Sequence, residues 1–213
     1  MTAKVEVRGI RYEPAGRVVL DDVSLDASAG EVVAVTGPSG SGKSSLLSIV
    51  AGLSRPADGS ATIDGRPVLE GVDCTLGLVL QGYGLVAVLT AAENVEIPLQ
   101  AAGVPRDEVL ARAAAALDHV GLADLADRPV EDLSGGQRQR VAFARAMAMR
   151  PDVVLADEPT AQQDGATKAR LLALLRGCAD RGAVVLVATH DPDVVAVCDR
   201  EVALHDGRLV AAP

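Results

Sequence analysis

The chain has 213 residues, 49% of them apolar, and a net charge of −9 from 20 Lys and Arg against 29 Asp and Glu. That length can bury a full core in one domain with a small subdomain, and the charge leaves no basic stripe for a nucleic acid. Cys74, Cys178 and Cys198 are widely spaced without a CxxC pair, which suits a reducing cytosol and disfavours a disulfide framework or a zinc site.

One Phe, two Tyr and no Trp leave Ala, Val and Leu to fill the core. The first residues alternate polar and apolar like a strand and contain no apolar signal-peptide region. Residues 3–8 and 17–25 are expected as strands joined near Glu13-Pro14-Ala15-Gly16. Val32–Thr36 has the pattern of a strand buried on both faces. A glycine-rich loop follows, and Lys43–Ala51 continues as a helix ended by Gly52. Ala61–Asp64 and Leu76–Leu80 read as further strands.

Between 84 and 150 the pattern changes. Val109, Ala113, Leu117 and Val120 recur at helical spacing before Gly121, and a second helix is expected over Gly136–Met149, ahead of Pro151. Arg138, Arg140 and Arg145 fall on that helix and read as a solvated or partner-facing surface. Strands return at Val153–Ala156, Val184–Ala188, Glu201–Leu204 and Arg208–Ala211, with helices at 165–177 and 191–197. Alternating βα units imply a mainly parallel α/β sheet. The expected organisation is a core of 1–83 and 151–213 with a helical insert, 84–150. The longest apolar runs are too short to span a bilayer, so a membrane role would need a partner.

Three segments carry chemistry. Gly37-Pro38-Ser39-Gly40-Ser41-Gly42-Lys43-Ser44 fits GxxxxGK[ST] between a buried strand and a helix. Its glycines let backbone wrap phosphate, Lys43 would reach the β- and γ-phosphates, and the Ser44 hydroxyl would ligate Mg²⁺. A flexible Gly-Ser linker does not account for that placement. Asp157-Glu158 ends a buried strand. Alone the pair could be an acidic helix cap. Beside a phosphate loop, Asp157 would hold the Mg²⁺ shell and Glu158 would accept a proton from attacking water, which favours hydrolysis over nucleotide sensing. Leu133-Ser134-Gly135-Gly136-Gln137 opens a helix. A plain N-cap explains Ser134 but not two glycines and a glutamine together, whereas a helix N-terminus facing an anion uses all of them.

Together with Leu89-Thr90-Ala91-Ala92-Glu93-Asn94-Val95, the run from Leu133 to Ala146, and Leu155-Ala156-Asp157-Glu158-Pro159-Thr160, these motifs resemble the ATP-binding subunit of ABC transporters over essentially the whole chain. The nearest branch is the lipoprotein-release and macrolide-export type, which includes the cell-division ATPase FtsE. The resemblance implies a P-loop NTPase core of RecA-like type with an N-terminal antiparallel β portion. It also implies ATP and Mg²⁺ as ligands, an ATP-dependent head-to-tail dimer of two copies, and an integral membrane permease that places the chain on the inner face of the cell membrane.

By the same resemblance, Gln81 touches Mg²⁺ and the attacking water, His190 contacts the γ-phosphate, and Tyr12 stacks on adenine. Ser45 and Asp164 join the phosphate-loop residues and Ser134–Gln137 in nucleotide binding. The segment Gln81–Glu96, with apolar Tyr83, Leu85, Val86, Val88 and Leu89, is where the family docks its permease. Ala161-Gln162-Gln163-Asp164 departs from the family's usual serine- and leucine-bearing segment, with a Gln in place of the leucine, and bears on how two sites communicate. His119 and His205 read as surface or structural residues. A P-loop kinase would need an Arg-bearing lid and no LSGGQ; an ATP-gated adaptor without transport remains open.

Overall fold

The computed structural model describes residues 3–80 and 82–210, so Met1, Thr2, Gln81, Ala211, Ala212 and Pro213 lie outside it. In chain order the elements are β1 (Lys4–Tyr12), β2 (Leu20–Ser28), β3 (Val32–Thr36), α1 (Lys43–Val50), β4 (Asp58–Ile63), β5 (Arg66–Pro67) and β6 (Leu76–Val79). They continue with α2 (Ala91–Ala101), α3 (Arg106–His119), α4 (Gly135–Ala148), β7 (Val153–Asp157), α5 (Gly165–Asp180), β8 (Val184–Ala188), α6 (Pro192–Val195), β9 (Arg200–His205) and β10 (Arg208–Val210).

Two sheets form. One is antiparallel in the order β2-β1-β4-β5; the other runs β10-β9-β3-β8-β7-β6, parallel except for β10. β1 extends beyond residue 8 because Gly9, at φ 55 and bonded from its N–H to Ser24 Oγ at 2.8 Å, sits in a register shift. Such a bulge interrupts the period-two pattern by which a strand is read.

Side chains of β7 alternate between two cores. Val153 and Leu155 join α1 (Leu46, Leu47, Ile49) and the antiparallel sheet (Val5, Val7, Ile10). Val154 and Ala156 join α5 (Leu171, Leu175) and helices α2–α4, including Phe143. Strands covered on both faces need continuous apolar runs, and β7 and β8 are buried throughout. This central position fixes where their C-terminal ends emerge.

Helix α2 had no periodic signature of its own. Its start is a capping box in which Thr90 Oγ1 accepts from Glu93 N–H at 3.1 Å and Glu93 Oε2 accepts from Thr90 N–H at 2.8 Å. Pro98 lies inside it, a residue that ordinarily ends a helix.

The arginines of α4 are not a solvated face. Arg138 Nε donates to Val130 O at 3.0 Å, Arg140 Nη1 to Val120 O at 3.0 Å, and Arg145 Nη2 to Tyr83 O at 2.7 Å. Each guanidinium reaches from the helix to a different loop and satisfies its carbonyls, a use that spacing along one helix does not reveal. Burial lowers the pKa of Arg145.

Candidate active site

Strand β3 lies between β8 and β9, so the loop after Thr36 emerges from the middle of the parallel sheet. A Cβ at Gly37 (φ 141) would stand 2.0 Å from Leu204 O, and one at Gly42 (φ 108) 2.6 Å from Leu20 Cδ2. The loop is pressed against β9 and β2, and only glycine fits at both points. Pro38, Ser39 and Gly40 face outward, while Ser41 is buried with no hydrogen-bond partner for its Oγ.

Gly42 is the N-cap of α1 and offers no capping side chain. The first-turn N–H groups of Lys43, Ser44 and Ser45 therefore lack intrahelical acceptors at the positive end of the helix dipole. Lys43, 8% exposed, donates from Nζ to Gly37 O at 2.8 Å and Pro38 O at 3.1 Å, which holds the ammonium within the loop. This cradle of open donors and a fixed cation fits a polyphosphate.

The ends of β7 and β8 supply the carboxylates. Asp157, 5% exposed, pairs in register with Ala188. Burial pushes its carboxyl pKa up, opposed by a hydrogen bond with Ser44, raised again by the Glu158 charge and lowered by Lys43. Ser44, Lys43 and Asp157 thus converge. Glu158 adopts φ 48 and donates its N–H to Ala188 O at 2.9 Å, turning its side chain toward the end of β8. There Oε1 lies 2.7 Å from His190 Nδ1 and Oε2 accepts from Thr189 Oγ1 at 3.4 Å. A carboxylate can only accept, so Nδ1 carries the proton. A cavity of about 630 Å³ lined by Thr36, Gly37, Pro38, His190 and Glu201 opens beside them.

Tyr12 is half-buried at the end of β1, paired with Leu20, whose side chain meets Gly42. It therefore belongs to the strand pair that backs the loop. Gln81 lies outside the described residues, and Asp164 caps α5 by accepting from Thr167 N–H and Oγ1, both at 2.9 Å.

The family model described as ABC transporter matches residues 20–161. The chain belongs to the ABC transporter family, as an ATP-binding domain. It is 42% identical over 225 residues to the "Macrolide export ATP-binding/permease protein MacB" of Salmonella typhimurium, covering 100% of this chain and 35% of that one. The chain thus spans about a third of the length of such relatives. It is 42% identical over 200 residues to the "Uncharacterized ABC transporter ATP-binding protein YvrO" of Bacillus subtilis, covering 90% of this chain and 87% of that one. A solved structure of "the ATP-binding cassette MJ0796 bound to ADP and Pi", a dimer in a post-hydrolysis state, superposes with a TM-score of 0.89 at 34% identity and 97% coverage of both chains.

In this ABC domain no hydrogen bond among the described residues joins the Ser134 turn to the phosphate loop. Ser134 Oγ accepts from Gln137 N–H at 3.2 Å, and Gln137 Oε1 accepts from Ser134 N–H at 2.8 Å, a capping box. Helix-start chemistry therefore accounts for the glutamine as well as the serine, contrary to the plain N-cap reading. It does not account for the glycines. A Cβ at Gly135 would stand 2.7 Å from Gln162 Oε1, and one at Gly136 3.0 Å from Gln162 O.

Sequence reasoning missed one further residue here, and the contact made by another. Gln139 Nε2 donates to Glu158 O at 2.6 Å, and Gln163 Nε2 donates to Gly136 O at 3.0 Å and to Gln139 Oε1 at 2.9 Å. Gln139 could have been found, because it shares a helical face with buried Ala142 and Phe143. Gln163 was marked only as a departure from the family's usual segment, with no partner indicated.

Proposed function

We propose that the chain is the Mg²⁺-dependent ATP-hydrolysing subunit of an exporter-type ABC transporter. Two copies close head to tail on two ATP molecules and act on an integral membrane permease at the inner face of the cell membrane. The reading rests on the convergence of Lys43, Ser44, Asp157, Glu158 and His190 where β3, β7 and β8 end. Among the described residues no helix is long and apolar enough to cross a membrane.

Open N–H groups of α1 and the Lys43 ammonium bind the β- and γ-phosphates. Ser44 Oγ and the Asp157 carboxylate would hold Mg²⁺. When bound, the ion neutralises charge developing on the phosphate oxygens. Glu158 takes the proton of the attacking water as the new P–O bond forms and the bond to the β,γ-bridging oxygen breaks, releasing ADP and phosphate. His190 orients that carboxylate through Nδ1 and faces the γ-phosphate with the rest of its ring.

Glu158→Gln tests the assignment. It should retain MgATP binding while turnover falls about 10²-fold, the scale of a general base. A steady-state assay giving wild-type turnover in this variant would remove Glu158 from the reaction.

A further inference from the structure

We propose that Lys168 is a positioning residue that holds His190 on Glu158 by clamping Asp191, the next residue in the chain. The inference rests on the ATPase reading above. Packing does not hold His190, whose side chain is 75% exposed, yet its Nδ1 lies 2.7 Å from Glu158 Oε1. A ring so free to rotate keeps its aim only if the backbone that carries it is fixed on both sides. On one side stands Thr189, fully buried, whose N–H donates to Val35 O on β3 at 3.0 Å and whose Oγ1 reaches Glu158 Oε2. On the other side β8 has ended and the chain turns into the short helix α6.

Lys168 supplies the second anchor. Its Nζ lies 2.6 Å from Asp191 Oδ2 and 3.0 Å from Asp193 Oδ2. The position is unfavourable on local grounds, since a cation in the opening turn of α5 opposes the positive end of the helix dipole. The two carboxylates offset that. The Lys168 ammonium holds the Asp191 carboxyl below its ordinary range, and Asp191 in turn raises Lys168, so the pair stays ionised at neutral pH. Asp191 Oδ1 accepts from Asp193 N–H at 3.0 Å, and its own N–H donates to Thr189 Oγ1 at 3.0 Å. The clamp therefore pins the turn on which the imidazole stands. Among the described residues no hydrogen bond joins the Lys168 side chain to the phosphate loop or to Glu158, so it acts through His190.

The test compares Lys168→Met, Lys168→Arg, His190→Ala and the Lys168→Met/His190→Ala double variant in the full chain. The measurements are kcat and KM for MgATP hydrolysis, and the histidine ring signals by NMR in nucleotide-free protein at alkaline pH. His119, His190 and His205 are the three rings to assign, and His190→Ala identifies the one that matters. Lys168→Met should lower kcat about fivefold, the upper scale of one partly exposed ion pair, with KM within about twofold. Its His190 ring should move from the Nδ1–H tautomer toward Nε2–H. Lys168→Arg, which keeps the charge, should restore both. Without His190, Lys168→Met should change kcat no further, as expected for residues acting in one line. An unchanged kcat or an unchanged His190 ring in Lys168→Met, or a loss that persists without His190, would each overturn the clamp while leaving the ATPase intact. Absent turnover in the unaltered chain would overturn the ATPase reading instead, and the ring signals would then decide the clamp alone.

Discussion

Asp157 is where folding and ligand binding oppose each other. Burial at the end of β7 raises its carboxyl pKa above the ordinary value. For a raised carboxyl, the stabilisation that comes from holding the proton is present below the unfolded pKa and is lost as pH rises through the folded one. At neutral pH the ionised group therefore weakens the nucleotide-free fold. Asp157→Asn should raise the nucleotide-free Tm, by roughly 2–4 °C for each kcal/mol recovered in a chain of this size. That gain should shrink as pH falls toward the raised pKa, and Mg²⁺-dependent nucleotide binding should weaken. Thermal melts across pH check the first point and titration with and without Mg²⁺ the second; an Asn variant no more stable than wild type would contradict it. Lys43→Ala should instead weaken nucleotide binding itself, since Nζ is already held within the loop. Candidate residues were legible here where local spacing imposes geometry, as from Gly37 to Ser44 and at Asp157-Glu158. Gln163 was legible only as a departure from the family's segment; its contact was not, because its partner Gln139 lies 24 residues away and meets it only after folding.

Among elements, the strands of the parallel sheet were legible because covering both faces demands unbroken apolar runs, as in Val32–Thr36 and Val184–Ala188. The start of α2 carried a signal in Thr90 and Glu93, but Pro98 masked the helix. The loop before α2 is held open by Asn94, 2% exposed, whose Oδ1 accepts from Val86 N–H at 2.8 Å and whose Nδ2 donates to Val86 O at 3.0 Å. With its backbone satisfied inward, Val86 turns its side chain out, and Val88 and Ile97 are also exposed. Leu85 instead packs against the core. Val86, Ile97, Pro98 and Met149 line a groove of about 410 Å³, where the proposed permease partner would lay an amphipathic helix. Val86→Glu should abolish stimulation of hydrolysis by the permease and co-purification with it, with basal turnover near normal. Full stimulation in that variant would place docking elsewhere.

For the whole molecule, the question is what holds two copies together. The capping box occupies the N–H groups of Ser134 and Gln137 but leaves those of Gly135 and Gly136, in the first turn of α4, without intrahelical acceptors. On the proposed reading they take an anion from outside the chain's own phosphate loop, to which no hydrogen bond joins this turn among the described residues. On the same reading the complementary half would be the γ-phosphate over the partner's Lys43. Two copies each carrying −9 gain nothing from net charge on approaching, so nucleotide must provide much of the contact. In sedimentation, Glu158→Gln with MgATP should shift from monomer to dimer, while the same variant with MgADP, which has no γ-phosphate, should stay monomeric. Adding Ser134→Arg should keep the monomer even with MgATP, because the bulk blocks the exposed turn. Binding of MgATP to that monomer should be unchanged, because the phosphate loop is untouched. A dimer equally stable without nucleotide, or one indifferent to Ser134→Arg, would mean that the two copies meet through another surface.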